Sequence, residues 1–135
     1  MKITKMGEYA ILGLVCVSLQ EGRNVLIQEV SEELGLPKKF MSKIFQKLAK
    51  EGILKSYKEK VGGFWLNVPP GDVTLRGIIQ AVQGPSLIFW CAATEAKCRQ
   101  YPLCPMEDVF KKAQEMLDEY FENITLEEFA AKAQF

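Results

Sequence analysis

The chain has 135 residues, 48% hydrophobic and 25% charged, which suits one ordinary domain or a compact domain with an appendage. Basic and acidic residues balance at 17 each and there is no histidine, so the commonest metal ligand and neutral-pH acid–base group is missing. No apolar run reaches the roughly 18–20 residues of a membrane span. The stretch from Tyr9 to Leu19 is broken by Gly13 and Ser18 and lacks a cleavage-site pattern. A cytoplasmic location with no membrane partner is therefore expected.

In chain order, Met6, Tyr9, Ala10, Gly13, Leu14 and Val17 mark one face of a first helix, with Gly22 as a stop. Val25-Leu26-Ile27 is a short apolar entry to a two-turn helix over 28–34, ended by Gly35. Pro37 suits the first turn of the next helix. That helix runs toward Lys50 with Phe40, Met41, Ile44, Phe45 and Leu48 on one face, and Gly52 stops it. Two short helices joined at Gly35-Leu36-Pro37 form a helix-turn-helix candidate. The β-rich runs 53–57 and 64–68 flank a charged, glycine-bearing turn and read as a hairpin, ended by Pro69-Pro70-Gly71. Directly after a helix-turn-helix, such a hairpin is a wing.

Thr74 can cap a helix through Val82, which Gly84-Pro85 terminates. Residues 86–104 show no sustained period. Pro105 then opens a long helix on which Val109, Phe110, Ala113, Met116, Leu117, Tyr120, Phe121 and Ile124 recur at three- and four-residue steps. Thr125 with Glu128 is a capping box for a short last helix bearing Leu126, Phe129 and Ala130. The expected fold class is mainly α with a small β-hairpin wing. The expected organisation is a DNA-binding unit over 1–83, a cysteine loop over 84–104, and a dimerisation and C-terminal helix over 105–135.

The zero net charge hides an uneven distribution. From Pro37 to Lys60 eight lysines face two glutamates, a local net of +6, while Pro105 to Phe135 carries a net of −5. Phosphate binding needs only a local positive face. Helix-turn-helix proteins read the major groove from the N-terminal part of the second helix, which here offers Lys38, Lys39, Ser42 and Lys43. Gly62 and Gly63 at the wing tip would allow close backbone approach to a groove, with Lys58 and Lys60 beside them. A winged helix used for protein contact, with a solvated lysine-rich face, is the alternative.

Cys91-x6-Cys98-x5-Cys104 is the second constellation. Thiolates bind iron and zinc strongly, and a cluster needs ligands on a segment that can wrap around it. The spacing is not a zinc CxxC, so an iron–sulphur cluster, 2Fe-2S or 4Fe-4S, is the favoured reading. A thiol–disulphide switch or zinc remains the alternative, as does a redox or electron-transfer protein that does not bind DNA. Cys16, within the first helix, reads as a small buried hydrophobe. Three cysteines leave a fourth ligand unassigned. Without histidine a carboxylate is the natural candidate, Glu8 or Glu107, although either can be a plain surface acid. The apolar stripe from Val109 to Ile124 needs a partner, either its own domain or a second copy in a symmetric dimer reading paired half-sites.

The chain resembles the IscR/NsrR-type bacterial regulators along nearly its whole length. The carrying residues are Tyr9-Ala10, Ile27 to Leu34 with Gly35-Leu36-Pro37, Leu48-x3-Gly52-Ile53-Leu54 and Gly62-Gly63-Phe64-x-Leu66. Pro69-Pro70-x-x-Val73-Thr74-Leu75-x-x-Ile78-Ile79, Gly84-Pro85, the three cysteines and Asn123-Ile124-Thr125-Leu126 complete them. The resemblance implies a homodimeric transcription factor, not an enzyme, binding double-stranded promoter DNA. It implies that the state of an iron–sulphur cluster sets DNA affinity, so that redox state, nitric oxide or cluster supply is read as transcription, with repression the expected sense. It also implies that the long helices cross at the dimer interface. Cys91, Cys98 and Cys104 match the family's cluster ligands. Glu107 falls where IscR-like members place a histidine, and Glu8 where NsrR-like members place an aspartate that reaches the other subunit's cluster. The first cysteine spacing is one residue longer than the IscR-like pattern. Lys58 stands in place of a common arginine, and the reading helix differs at Lys39, Ser42 and Lys43, so no target sequence carries over.

Overall fold

The computed structural model describes residues 2–20, 23–57, 63–85, 87 and 105–133. Helix α1 spans Lys5–Ser18, and the Thr4 hydroxyl accepts from the Gly7 N–H at 3.1 Å to cap it. Helix α2 spans Ile27–Leu34. Its start is fixed by Glu29, whose carboxylate accepts from the Leu26 N–H at 3.2 Å and is gripped by Arg23 at 2.9 and 3.2 Å. Gly35 ends α2 in left-handed backbone, and the chain turns into α3, Lys38–Lys50, behind Pro37.

Helix α3 has two unlike faces. Met41, Ile44, Phe45 and Leu48 are buried at a three- and four-residue spacing, the signature of a helix with one side in the core. The core lies between this face, the Ala10–Gly13–Leu14–Val17 face of α1, and a later helix, α4, over Leu75–Gln83. Gly13 permits the close crossing. A Cβ there would fall 2.6 Å from the Phe45 ring and 3.0 Å from the Met41 terminal methyl. Phe45 is fully buried and meets Phe64 edge-on, with centroids 5.3 Å apart, a favoured aromatic geometry.

Strands β1, Leu54–Ser56, and β2, Phe64–Leu66, pair antiparallel with Leu54 opposite Leu66 and Ser56 opposite Phe64. They are shorter than the runs predicted from sequence. The flanking Tyr57 and Asn67 N–H groups still bond across, to Gly63 at 2.9 Å and Ile53 at 3.0 Å, but outside the regular ladder. Val25 adds an isolated bridge to Phe64, with both hydrogen bonds at 2.8 Å. The apolar entry to α2 is therefore the element that staples the wing to the helical body. Gly63 has φ +128°, and a Cβ there would fall 2.5 Å from the Asn24 side chain. Only glycine accepts both conditions cheaply.

A 3-10 turn, Pro70–Asp72, leads to α4, Leu75–Gln83, capped by Thr74. Helix α5 spans Glu107–Glu122 and α6 spans Leu126–Lys132, capped by the Thr125 hydroxyl. The long helix starts two residues later than Pro105 because Pro105 and Met106 form a turn, and Met106 supplies the carbonyl for the Phe110 N–H at 3.0 Å. Thr74 and Thr125 bridge each other, flanked by bonds of 2.8 Å from Leu75 to Ile124 and from Leu126 to Val73. This seats fully buried Leu126 in the core under α1. The mainly α architecture with a two-stranded wing agrees with the expected fold class.

Truncating Phe45 leaves a cavity where three elements meet, so Phe45→Ala is expected to cost about 3–5 kcal/mol. Urea unfolding followed by circular dichroism checks this; a loss near zero would mean that α3 is not held by this side chain.

Candidate nucleic-acid interface

The face of α3 opposite its core side carries Lys38, Lys39 and Lys43, all exposed, with half-buried Ser42 between them. These four side chains are thus brought together on one accessible surface. That surface curves into a cleft of about 350 Å³, walled by Lys38, Ser42 and Gln46 of α3, by Gln28 at the start of α2, and by Ser56 and Tyr57 of the wing. Gln46 and Gln28 leave no mark in the sequence pattern because a neutral amide adds nothing to a charge count. Their places, nine and two residues into their helices, were the available signal. Gly63, at the turn end of β2 opposite Tyr57, is buried with Asn24 packed against it, so it does not offer its backbone to a groove as its sequence position suggested. Lys58, Lys60 and Gly62 lie outside the described residues.

The basic block is less uniform than its sequence suggests. Lys47 is half-buried, and its ammonium donates to the Val82 carbonyl at 3.4 Å and approaches the Met6 sulphur at 3.6 Å. A cation on the last turn of α4 complements the carbonyls that end a helix. Lys47 is therefore a structural tie between the reading helix and α4. Lys55 lies over the Trp65 ring, 5.9 Å from its centroid.

A second tie meets the same end of α4. The Gln83 amide oxygen accepts from the Thr4 N–H at 3.1 Å and the Thr4 hydroxyl at 3.0 Å, while its NH₂ donates to the Lys2 carbonyl at 2.9 Å. The exit of α4, from which the cysteine-bearing segment continues, is thus pinned to both α1 and α3.

Cys91, Cys98 and Cys104 lie outside the described residues. Glu8 and Glu107 stand in the first turns of α1 and α5, each about half exposed and each paired with a lysine: Glu8 with Lys5 at 3.2 Å, Glu107 with Lys111 at 2.9 Å. The hydrogen bond and charge of Glu8 raise the Lys5 pKa above its ordinary value. Exposed pairs of this kind are weak, so either carboxylate can leave its lysine for a metal at small cost. Three thiolates and one such exposed, weakly paired carboxylate are a donor set that would fit an iron–sulphur cluster. Cys16 is buried, and desolvation, followed by the nearby Glu33 charge, pushes its thiol up to about 11. Such a thiol stays protonated and inert near neutral pH.

Helix α5 divides the apolar stripe into two. Phe110, Ala113, Leu117, Phe121 and Ile124 are half-buried, and Gln114 is buried beside them with its amide on Asp118 at 2.9 Å. Arg76 of α4 reaches Asp118 at 3.6 Å and Glu122 at 3.9 Å on the same side. Val109, Met116 and Tyr120 are 60–64% exposed, and Met106 is 53% exposed. No helix among the described residues is long and apolar enough to cross a membrane.

Two short helices meeting at a tight turn, with a basic outward face on the second and a hairpin beside it, define a winged helix-turn-helix DNA-binding protein. The chain belongs to the Rrf2 family, described as iron-dependent transcriptional regulators, whose model matches residues 3–132. Its relatives are regulators rather than enzymes. It is similar to an HTH-type transcriptional regulator of Haemophilus influenzae, 26% identical over 133 residues that cover 98% of this chain and 88% of that protein. It is also similar to the HTH-type transcriptional regulator IscR of Pectobacterium carotovorum, 26% identical over 130 residues, covering 95% and 78%. Two solved structures share its fold. One is CymR, the global cysteine regulator of B. subtilis, with TM-score 0.77, 19% identity and 99% of both chains covered. The other is T. potens IscR, with TM-score 0.76, 23% identity and 99% and 89% covered.

The inward and outward lysines should separate in a salt titration of DNA binding. Lys43→Ala is expected to lower the slope of log affinity against log salt by about one phosphate contact. Lys47→Met should leave that slope unchanged and instead lower the thermal unfolding midpoint. A reduced slope for Lys47→Met would return that side chain to the DNA-facing set.

Proposed function

We propose that the protein is a promoter-binding regulator, acting in the cytoplasm as a homodimer, whose DNA affinity is set by an iron–sulphur cluster. The observation that carries this reading is the pinned exit of α4. The segment bearing Cys91, Cys98 and Cys104 continues from an end tied to the reading helix by Lys47 and to α1 by Gln83. Any change in that segment therefore acts next to the base of the DNA-reading element. The proposed division of labour is residues 1–83 for DNA, 84–104 for the cluster and 105–135 for assembly.

On the DNA side, Lys38, Lys39 and Lys43 neutralise phosphates or donate to guanine edges, and Ser42 contacts the groove between them. Lys58, Lys60 and Gly62 bring the wing against the adjacent backbone, while Gly63, buried against Asn24, shapes the turn from inside rather than meeting the groove. On the cluster side, Cys91, Cys98 and Cys104 are the thiolate ligands, with Glu8 or Glu107 as the fourth. When bound, a cluster would supply a redox- and nitric-oxide-sensitive centre, and Cys91, Cys98 and Cys104 would be the residues that hold it. Regulation requires the states with and without it to differ in DNA affinity, and repression is the expected sense.

Assembly uses the outer face of α5. Met106, Val109, Met116 and Tyr120 form an exposed apolar stripe at helical spacing, and such a stripe on a soluble chain marks an interaction surface. A second copy crossing there gives a self-complementary two-fold interface. Two half-sites read one helical turn apart need that symmetry. Phe110, Ala113, Leu117, Phe121 and Ile124 support the same helix from its inner side.

Anaerobic purification tests the cluster: a brown protein with acid-labile sulphide is expected, and a colourless protein with stoichiometric zinc or a disulphide would replace it with the rival chemistry. Holo and apo protein should differ in DNA affinity at one fixed salt concentration; equal affinities sink the switch. Of Glu8→Ala and Glu107→Ala, the change that removes the ligand should speed cluster loss. For assembly, sedimentation equilibrium should give twice the chain mass for the wild type and a monomer for Met116→Glu. A monomeric wild type would remove the dimer.

A further inference from the structure

We propose that Gln46, steered by Ser42, reads an adenine base in the major groove, and that this contact sets part of the operator sequence. The inference rests on the DNA-binding reading above and deepens it from phosphate contact to base choice. Lys38, Ser42 and Gln46 are spaced four residues apart and line one wall of the cleft between α3, the start of α2 and the wing. Gln46 is exposed there, while neighbouring Phe45 is locked in the core. The helix therefore cannot roll to withdraw Gln46 from the cleft.

The chemistry on this face is asymmetric. Lys38, Lys39 and Lys43 are donors only and suit phosphate oxygens or the two acceptors of guanine. Adenine instead presents one acceptor and one donor side by side, which a carboxamide matches with its NH₂ and C=O. Gln46 is the carboxamide on the outward face of α3. The other amide lining the cleft, Gln28, is held by a short charge-assisted bond to the Glu32 carboxylate at 3.0 Å, stronger than the 3.5 Å contact of Gln46 with a neutral hydroxyl, so Gln46 is the amide freer to turn to a base. The Gln46 NH₂ reaches the Ser42 hydroxyl at 3.5 Å. That contact uses one amide hydrogen and leaves the second hydrogen and the carbonyl for a base edge. Ser42 thereby acts as a positioning residue that limits the rotamers of Gln46.

The test is enrichment of a randomised duplex library by the full chain, followed by titration of the winning duplex and of the same duplex carrying 7-deazaadenine at the assigned position. The wild type should enrich a fixed adenine in each half-site. Removing its N7 should weaken binding by about tenfold, the scale of one base contact. Gln46→Ala should lose the preference at that position alone, bind the deaza duplex as well as the natural one, and keep its salt dependence. Gln46→Glu should shift the preference at that position toward cytosine, whose amino group a carboxylate accepts. Ser42→Ala should weaken the adenine preference without changing its position. An unchanged motif for Gln46→Ala, or no deaza effect on the wild type, overturns the assignment while leaving DNA binding intact. A wild type that enriches no sequence overturns the DNA-binding reading and this inference with it.

Discussion

Everything on the DNA side of this molecule depends on how tightly the inner face of α3 is held. Phe45 sits over Gly13 of α1 and edge-on to Phe64 of the wing, so one ring fixes the relation of three elements. Because protein interiors are packed at crystal-like density, a helix so held has little freedom to roll. The buried residues Met41, Ile44, Phe45 and Leu48 thereby dictate which residues of α3 face outward. The lysines do not choose their direction; the core chooses it for them.

The same economy governs the opposite end of the unit. The last turn of α4 makes two ties to other parts of the chain: Lys47 of α3 donates to its Val82 carbonyl, and its own Gln83 reaches Thr4 and Lys2. Neither bond is strong alone, since a net hydrogen bond contributes only about 0.5–1.5 kcal/mol. Together they make the exit of α4 part of the rigid body. A regulator that couples a sensing segment to a reading helix needs such a junction, because a change on a loose tether would dissipate before reaching the DNA face.

Much of this was legible in the chain. Threonines before α1, α4 and α6 act as caps because a side-chain oxygen can satisfy a free N–H of the first turn. Thr74 and Thr125 were readable as such, and Gly35 marked the turn between α2 and α3. The membership of Met41, Ile44, Phe45 and Leu48 in one face followed from their spacing. Three things did not follow. The spacing of Lys47 does not reveal that it serves the α4 terminus, because that partner lies 35 residues away. Gln46 was silent because neutral amides leave no mark on charge or hydropathy. The apolar residues from Val109 to Ile124 read as one stripe, whereas α5 ends at Glu122 and α4 takes up one side of it, leaving Val109, Met116 and Tyr120 exposed.

The sequence by itself determined the winged helix-turn-helix, the lysine-rich second helix and the three-cysteine spacing, because local caps, periodicity and residue chemistry need no distant partner to be read. Only the tertiary structure decided which lysines face out, which amide joins them and which side of α5 is uncovered. Periodicity tells which residues share a face; packing against a distant element tells what that face meets.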